Sequence, residues 1–228
     1  MIDAEGGESP ADEPIVFDDV KKSAIGTETN AGTERDQFLA GLSPAKLTFA
    51  FGFMAFQNGD YDEAAEYFFN ASIEDSESVA PKYVLATSLF SIAEYEFAAD
   101  YLRRSLEADA TLVSAPFNMR EFYGAGQAEN LQSHRKLLGE RAELHPSDAD
   151  TLLLAGFVEM SSGNHAAASK HFVSLRDAAD SDADRVLADQ FLADIRRRDT
   201  GESEVGENGM TAFLAQPTLE GVEGLPLE

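Results

Sequence analysis

The chain of 228 residues contains no cysteine and no tryptophan. Without a thiol it has no disulfide frame, no thiolate metal site and no cysteine nucleophile. That composition suits an oxidising or a reducing compartment and selects neither. Cations are scarce as well: Lys and Arg number 17 against 42 acids, a formal charge of −25. Nucleic-acid binding needs clustered cations that displace counterions from phosphates, and the one run present is Arg196-Arg197-Arg198. The same imbalance argues against anionic membrane surfaces. A basic partner, or a salty medium in which an acidic surface keeps the chain dissolved, fits better. No apolar run is long enough to span a bilayer, so membrane insertion is not expected. Met1-Ile2-Asp3-Ala4-Glu5-Gly6 carries neither a basic nor an apolar stretch, so it is not expected to be a signal peptide. The expectation is a cytoplasmic protein or a soluble part of a longer exported one.

Chemistry-bearing patterns are missing too. His134, His145, His165 and His171 form no i,i+4 pair, which argues against a zinc site, and no other metal is expected. Asp180-Ser181-Asp182-Ala183-Asp184 begins like a calcium loop. Arg185 stands where the loop needs glycine, and Phe191 where it needs a bidentate Glu. Gly124-Ala125-Gly126 lacks the preceding strand and the third glycine of a dinucleotide fingerprint. No phosphate loop or nucleophile elbow occurs. No catalytic residue and no cofactor are expected, and the chain reads as a non-enzyme.

What is present is a repeat. Glu63-Ala64-Ala65-Glu66-Tyr67 returns 34 residues later as Phe97-Ala98-Ala99-Asp100-Tyr101. In the same register Gly52 matches Ala86, Tyr61 matches Tyr95, Phe68 matches Leu102 and Ala71 matches Ser105. A period between roughly 20 and 50 residues marks stacked units, and a small/aromatic pattern at this spacing indicates paired antiparallel helices. Ser43-Pro44 supplies a cap and a first-turn proline for a helix over 45–57. Asn58-Gly59-Asp60 turns the chain into a second helix over 62–74. The second unit spans about 79–112, with Pro81 in its first turn and an inner turn at Ala93-Glu94 that lacks glycine. The third, about 115–148, is degenerate: Pro116 can start its first helix, Gly124-Ala125-Gly126 turns it, and Leu131, Leu138 and Ala142 keep an apolar stripe. The fourth, about 149–182, is clear again. Gly156, Gly163, Ala168 and Phe172 stand 104 residues after Gly52, Gly59, Ala64 and Phe68, three periods with two residues added in the third unit. A last helix over 183–198 places its arginines at the C-terminal end, where the helix dipole favours cations.

Outside this array, residues 1–42 carry ten acids and three bases, and residues 199–228 seven acids and no base. Both read as loose acidic segments. Ile15-Val16-Phe17 and a possible short helix after Thr33 are the exceptions in the first.

The units resemble tetratricopeptide repeats over about residues 45–182. In that family a small residue of the first helix packs against an alanine of the second. Here Gly52, Ala86 and Gly156 match the former, and Ala64, Ala98 and Ala168 the latter. Gly59-Asp60-Tyr61 matches the family turn, and Gly163-Asn164-His165 matches it loosely. The third unit departs by placing Phe122 where the small residue belongs. The resemblance implies an all-α fold, antiparallel helix pairs stacked in a right-handed α-solenoid, with 183–198 as a capping helix. It also implies a concave wall lined by the first helix of each unit.

By the family pattern that wall carries Phe49, Phe53 and Phe56, then Tyr83, Thr87 and Phe90. Tyr123 belongs to the third unit, and Leu153, Phe157 and Met160 to the fourth. The family's carboxylate clamp for acidic C-termini uses Lys, Arg and Asn, but Phe49, Phe53 and Val84 occupy those sites, which argues against that ligand. Aromatic residues at helical spacing serve packing as readily as binding, and Phe49, Phe51, Phe53 and Phe56 surround their helix. Some cover is therefore required: a neighbouring unit, the N-terminal segment or another chain. The expected function is a scaffold binding an apolar or basic segment of a protein partner in this groove, with homo-oligomers possible. The alternative is a holder of apolar clients, as in the small acidic chaperones of type III secretion. An accessory domain of an enzyme is a more distant option.

Overall fold

The computed structural model describes residues 42–115 and 117–201. Among these residues the chain is all-helical, with nine α-helices, two short 3-10 turns and no strand. The segments outside this span, including Ile15-Val16-Phe17, the helix expected after Thr33 and the C-terminal acidic segment beyond Gly201, lie outside the described residues, as does Pro116.

Local signals set most helix ends. Helix α1 (Pro44–Asn58) starts with the Ser43 hydroxyl accepting from the Lys46 amide and ends at Gly59, whose φ is 89°. Helix α2 (Tyr61–Glu74) follows directly. Helix α3 (Ala80–Ser91) has Pro81 in its first turn, and helix α4 (Tyr95–Ala108) follows it. Between these two, Ala93 takes the left-handed role that Gly59 and Gly163 play elsewhere, with a φ of 64°. Helix α7 (Ala149–Ser161) is capped by the Asp148 carboxylate, and helix α8 (His165–Ala178) comes after the Gly163 turn. Helix α9 (Asp182–Asp199) is capped by Ser181 and ends on its three arginines.

Packing follows one series: α1 on α2, α2 on α3, α3 on α4, α4 on α7, α7 on α8, and α8 on α9. Pair contacts are close because small residues sit at the crossings. A Cβ added at Gly156 would lie 2.6 Å from the Phe172 ring, and one at Gly52 would lie 2.8 Å from Phe68. Ala64, Ala98 and Ala168 are each fully buried.

The third sequence unit leaves this series. Helix α4 packs directly on α7, while the intervening chain forms a 3-10 turn (Ala110–Val113), helix α5 (Met119–Tyr123), a second turn (Ala125–Gln127) and helix α6 (Ala128–Leu144). Its helices lie against α1, α3 and α7, the first helices of the three pairs. The expected first helix of this unit shrinks to five residues, started by the Asn118 side chain. Phe122, too large to let two helices approach at the small-residue position, turns inward and is fully buried. Leu131, Leu138 and Ala142 do form the buried stripe of α6.

Candidate protein-interaction site

The inserted segment covers the wall on which the partner groove is expected. Phe49, Phe56, Tyr83, Thr87, Phe90, Tyr123, Leu153, Phe157 and Met160 are all buried, and Phe53 is half-buried. The cover is aromatic: Phe122 meets Phe53 at 5.6 Å and Phe56 at 4.5 Å between ring centroids. Tyr123 meets Phe56 edge-on at 4.9 Å. Phe117 meets Tyr83 edge-on at 5.3 Å and stacks on Phe157 at 6.0 Å. These positions are therefore brought together as a core rather than as an open trough. The reason is geometric: α1, α3 and α7 present one continuous apolar wall, and the nearest apolar cover is the chain linking α4 to α7.

Polar bonds fix that cover. Gln57 donates its amide to the Phe122 carbonyl, and the Gln127 amide donates back to the Gln57 carbonyl at 3.2 Å. The Tyr123 hydroxyl lies 2.6 Å from the Ser91 hydroxyl and 2.9 Å from His134 Nδ1. Burial pushes the Tyr123 pKa up and pulls the His134 pKa down, so both groups stay neutral near neutral pH. Arg135 on α6 holds Glu159 on α7 through two bonds of 3.1 and 2.7 Å.

Two further ionic ties bridge distant helices. Arg103 on α4 reaches Asp150 at 2.5 Å and Asp184 at 2.9 Å, joining α4, α7 and α9. Asp194 on α9 is buried and accepts from the Ser114 hydroxyl, Arg197 and Arg198, while Arg198 also donates to the Ser114 carbonyl. The end of α9 is thereby fastened to the start of the inserted segment. Among the described residues no cluster of His, Asp or Glu is placed to hold a metal ion, and no helix is long and apolar enough to cross a membrane.

Apolar side chains are exposed singly on α6, α8 and α9 (Leu137, Leu144, Val173 and Val186), and three lie together at α2 and α4. A cleft of about 270 Å³ runs between α2 and α4. Its α2 side is Ala65, Glu66 and Phe69, its floor Leu85 and Leu89 of α3, and its α4 side Phe97 and Tyr101. Phe69 is 41% exposed, Phe97 60% and the neighbouring Ile73 61%. The cleft is smaller than the roughly 300–1,000 Å³ of typical small-molecule sites. Its lining is almost wholly apolar, so it suits side chains of another segment rather than a polar ligand. Repeat matching misses it because Phe69 aligns with Arg103 and Phe97 with Glu63, so neither ring belongs to the recurring pattern. Two phenylalanines on exposed faces of otherwise acidic helices were the available signal.

Compared with known proteins, the chain matches no family model, and no curated protein is similar to it in sequence.

Proposed function

We propose that this chain is a protein-interaction scaffold of the tetratricopeptide type. Three helix pairs (α1–α2, α3–α4, α7–α8) form a short right-handed α-solenoid capped by α9, and the chain's own third unit fills the concave side. The partner then docks on the outer side. One observation carries this: the open apolar cleft between α2 and α4, with Phe69 and Phe97 largely in water. Clustered exposed apolar side chains rimmed by polar residues are the kind of surface at which partner proteins dock. The repeat spacing and the small residues at the helix crossings support the tetratricopeptide reading. A holder of apolar clients has less support, because the aromatic wall it would use is buried under Phe117, Phe122 and Tyr123.

The full chain, immobilised, should capture a specific protein from lysate of its source, and the purified pair should bind with defined stoichiometry and a negative heat-capacity change. Capturing nothing beyond what an unrelated protein of equal charge captures would refute the scaffold reading.

A further inference from the structure

The charges set around the outer cleft are mostly acidic, and the cations near it are paired. Asp62, Glu66, Phe69 and Ile73 fall on one face of α2, at i, i+4, i+7 and i+11, and all four are exposed. Helix α2 contains no Lys or Arg. Across the cleft, Glu94 is exposed beside Phe97, while Glu96 is drawn to Arg141 of α6 at 3.7 Å. The cations carried by α3 and α4 are already engaged. Lys82 bonds the Ser76 carbonyl at 2.6 Å, and Arg103 is drawn away to Asp150 and Asp184. Arg104 pairs with Asp100 at 2.7 Å and lies over the Tyr101 ring. The site is thus an apolar slot with an acidic rim.

We propose that the slot takes a basic amphipathic helix, whose apolar residues enter between Phe69 and Phe97 while its Lys or Arg residues meet the rim carboxylates. This rests on the scaffold reading and names the partner's chemistry. Such a helix offers apolar side chains at i, i+3, i+4 and i+7, a spacing suited to a groove between two helices. Its cations relieve repulsion on a chain of charge −25 and steer it to the site from a distance. A second copy of this chain would instead set acids against acids. The N-terminal Ile15-Val16-Phe17 carries Glu13, Asp18 and Asp19 against Lys21 and Lys22, so it offers the rim no net positive charge.

The test uses the full chain and two synthetic fourteen-residue helical peptides of about equal apolarity, one of leucine and lysine, the other of leucine and glutamate. Fluorescence anisotropy should show saturable binding of the lysine peptide, weakened about tenfold between low and high salt, and none of the glutamate peptide. Phe69→Ser and Phe97→Ser alter exposed rings and should keep the wild-type circular dichroism. Each should weaken binding about tenfold or more, and Glu66→Gln should weaken it a few-fold and lower the salt dependence. Equal binding of the lysine peptide by both serine variants would mean diffuse charge attraction and overturn the proposal. So would equal binding of the two peptides. A dimer in sedimentation that Phe97→Ser abolishes would assign the slot to a second copy. Lysine-peptide binding that appears only after Phe17→Ser would assign it to the N-terminal segment. A partner from the capture experiment that binds wild type and Phe97→Ser equally would overturn the slot while leaving the scaffold reading intact.

Discussion

Replacing glycine by alanine in two helices of this chain should move stability in opposite directions. Alanine is favoured over glycine in a helix interior by about 0.8–1 kcal/mol. At Gly139, in the middle of α6, a new Cβ meets nothing within 4 Å. Gly139→Ala should therefore stabilise by about that full amount. At Gly156 the Cβ would stand 2.6, 2.7 and 2.8 Å from three atoms of the Phe172 ring. That ring is fully buried and stacked on Phe191 at 4.5 Å with an interplanar angle of 6°. It has no room to retreat without moving α9. Over-packing of this kind costs about 1–3 kcal/mol, and distances this short place it in the upper half. After the helix-propensity gain is subtracted, Gly156→Ala should destabilise by about 1–2 kcal/mol. With a urea slope of about 2 kcal/mol/M, the midpoint should fall by roughly 0.5–1 M for Gly156→Ala and rise by roughly 0.4–0.5 M for Gly139→Ala. Far-ultraviolet circular dichroism of the full chain reads both. A midpoint that rises in both variants would show that α7 and α8 are not in the close contact described.

Three further outcomes follow from other residues. Ala93→Gly should stabilise by about 0.5–1 kcal/mol, because a φ of 64° is strained for alanine; unchanged or lower stability in urea unfolding would count against that strain. Asp194→Ala should destabilise by about 2–4 kcal/mol, since it leaves Arg198 and the Ser114 hydroxyl without their buried partner; a loss within error would mean the tie is incidental. Burial lowers the pKa of both His134 and His171. The unfolded chain therefore binds protons first as pH falls through its ordinary histidine value of about 6.5, so stability is fully present above that pH and declines below it. His134→Gln should flatten this decline between about pH 7 and 5, and an unchanged slope of urea midpoint against pH would refute it.

Helix positions and turns were legible because their causes are local. Ser43-Pro44, Gly59, Pro81 and Gly163 act on the next few residues, and the expected helix ends fall within one or two positions of those observed. The placement of the third unit was not legible. Its apolar stripe at Leu131, Leu138 and Ala142 is the same whether α6 stands in the series or lies across it. Periodicity identifies which face is buried, not what buries it. Phe122 at a small-residue position marked the departure without giving its destination. The aromatic wall had the same ambiguity, since Phe49, Phe56 and Phe90 satisfy core and groove equally until topology decides. Asp194 looked like one more acid on an acidic helix; only the meeting of α9 with Ser114 makes it a buried acceptor.

The inserted cover also fixes how many pairs the row can contain. In a simple array each unit touches only its neighbours, so units can be gained or lost singly. Here Phe53 on α1 meets Phe122 edge-on, Gln57 bonds its carbonyl, and Tyr61 on α2 reaches Gln127 at 3.3 Å, contacts that enclose the whole second pair. One additional pair inserted between α2 and α3 would carry α1 away from α5 and strip the rings off both. Removing a pair would leave the cover longer than the wall it fits. The row is therefore a counted object, with its first and last pairs held together by a strap of set length.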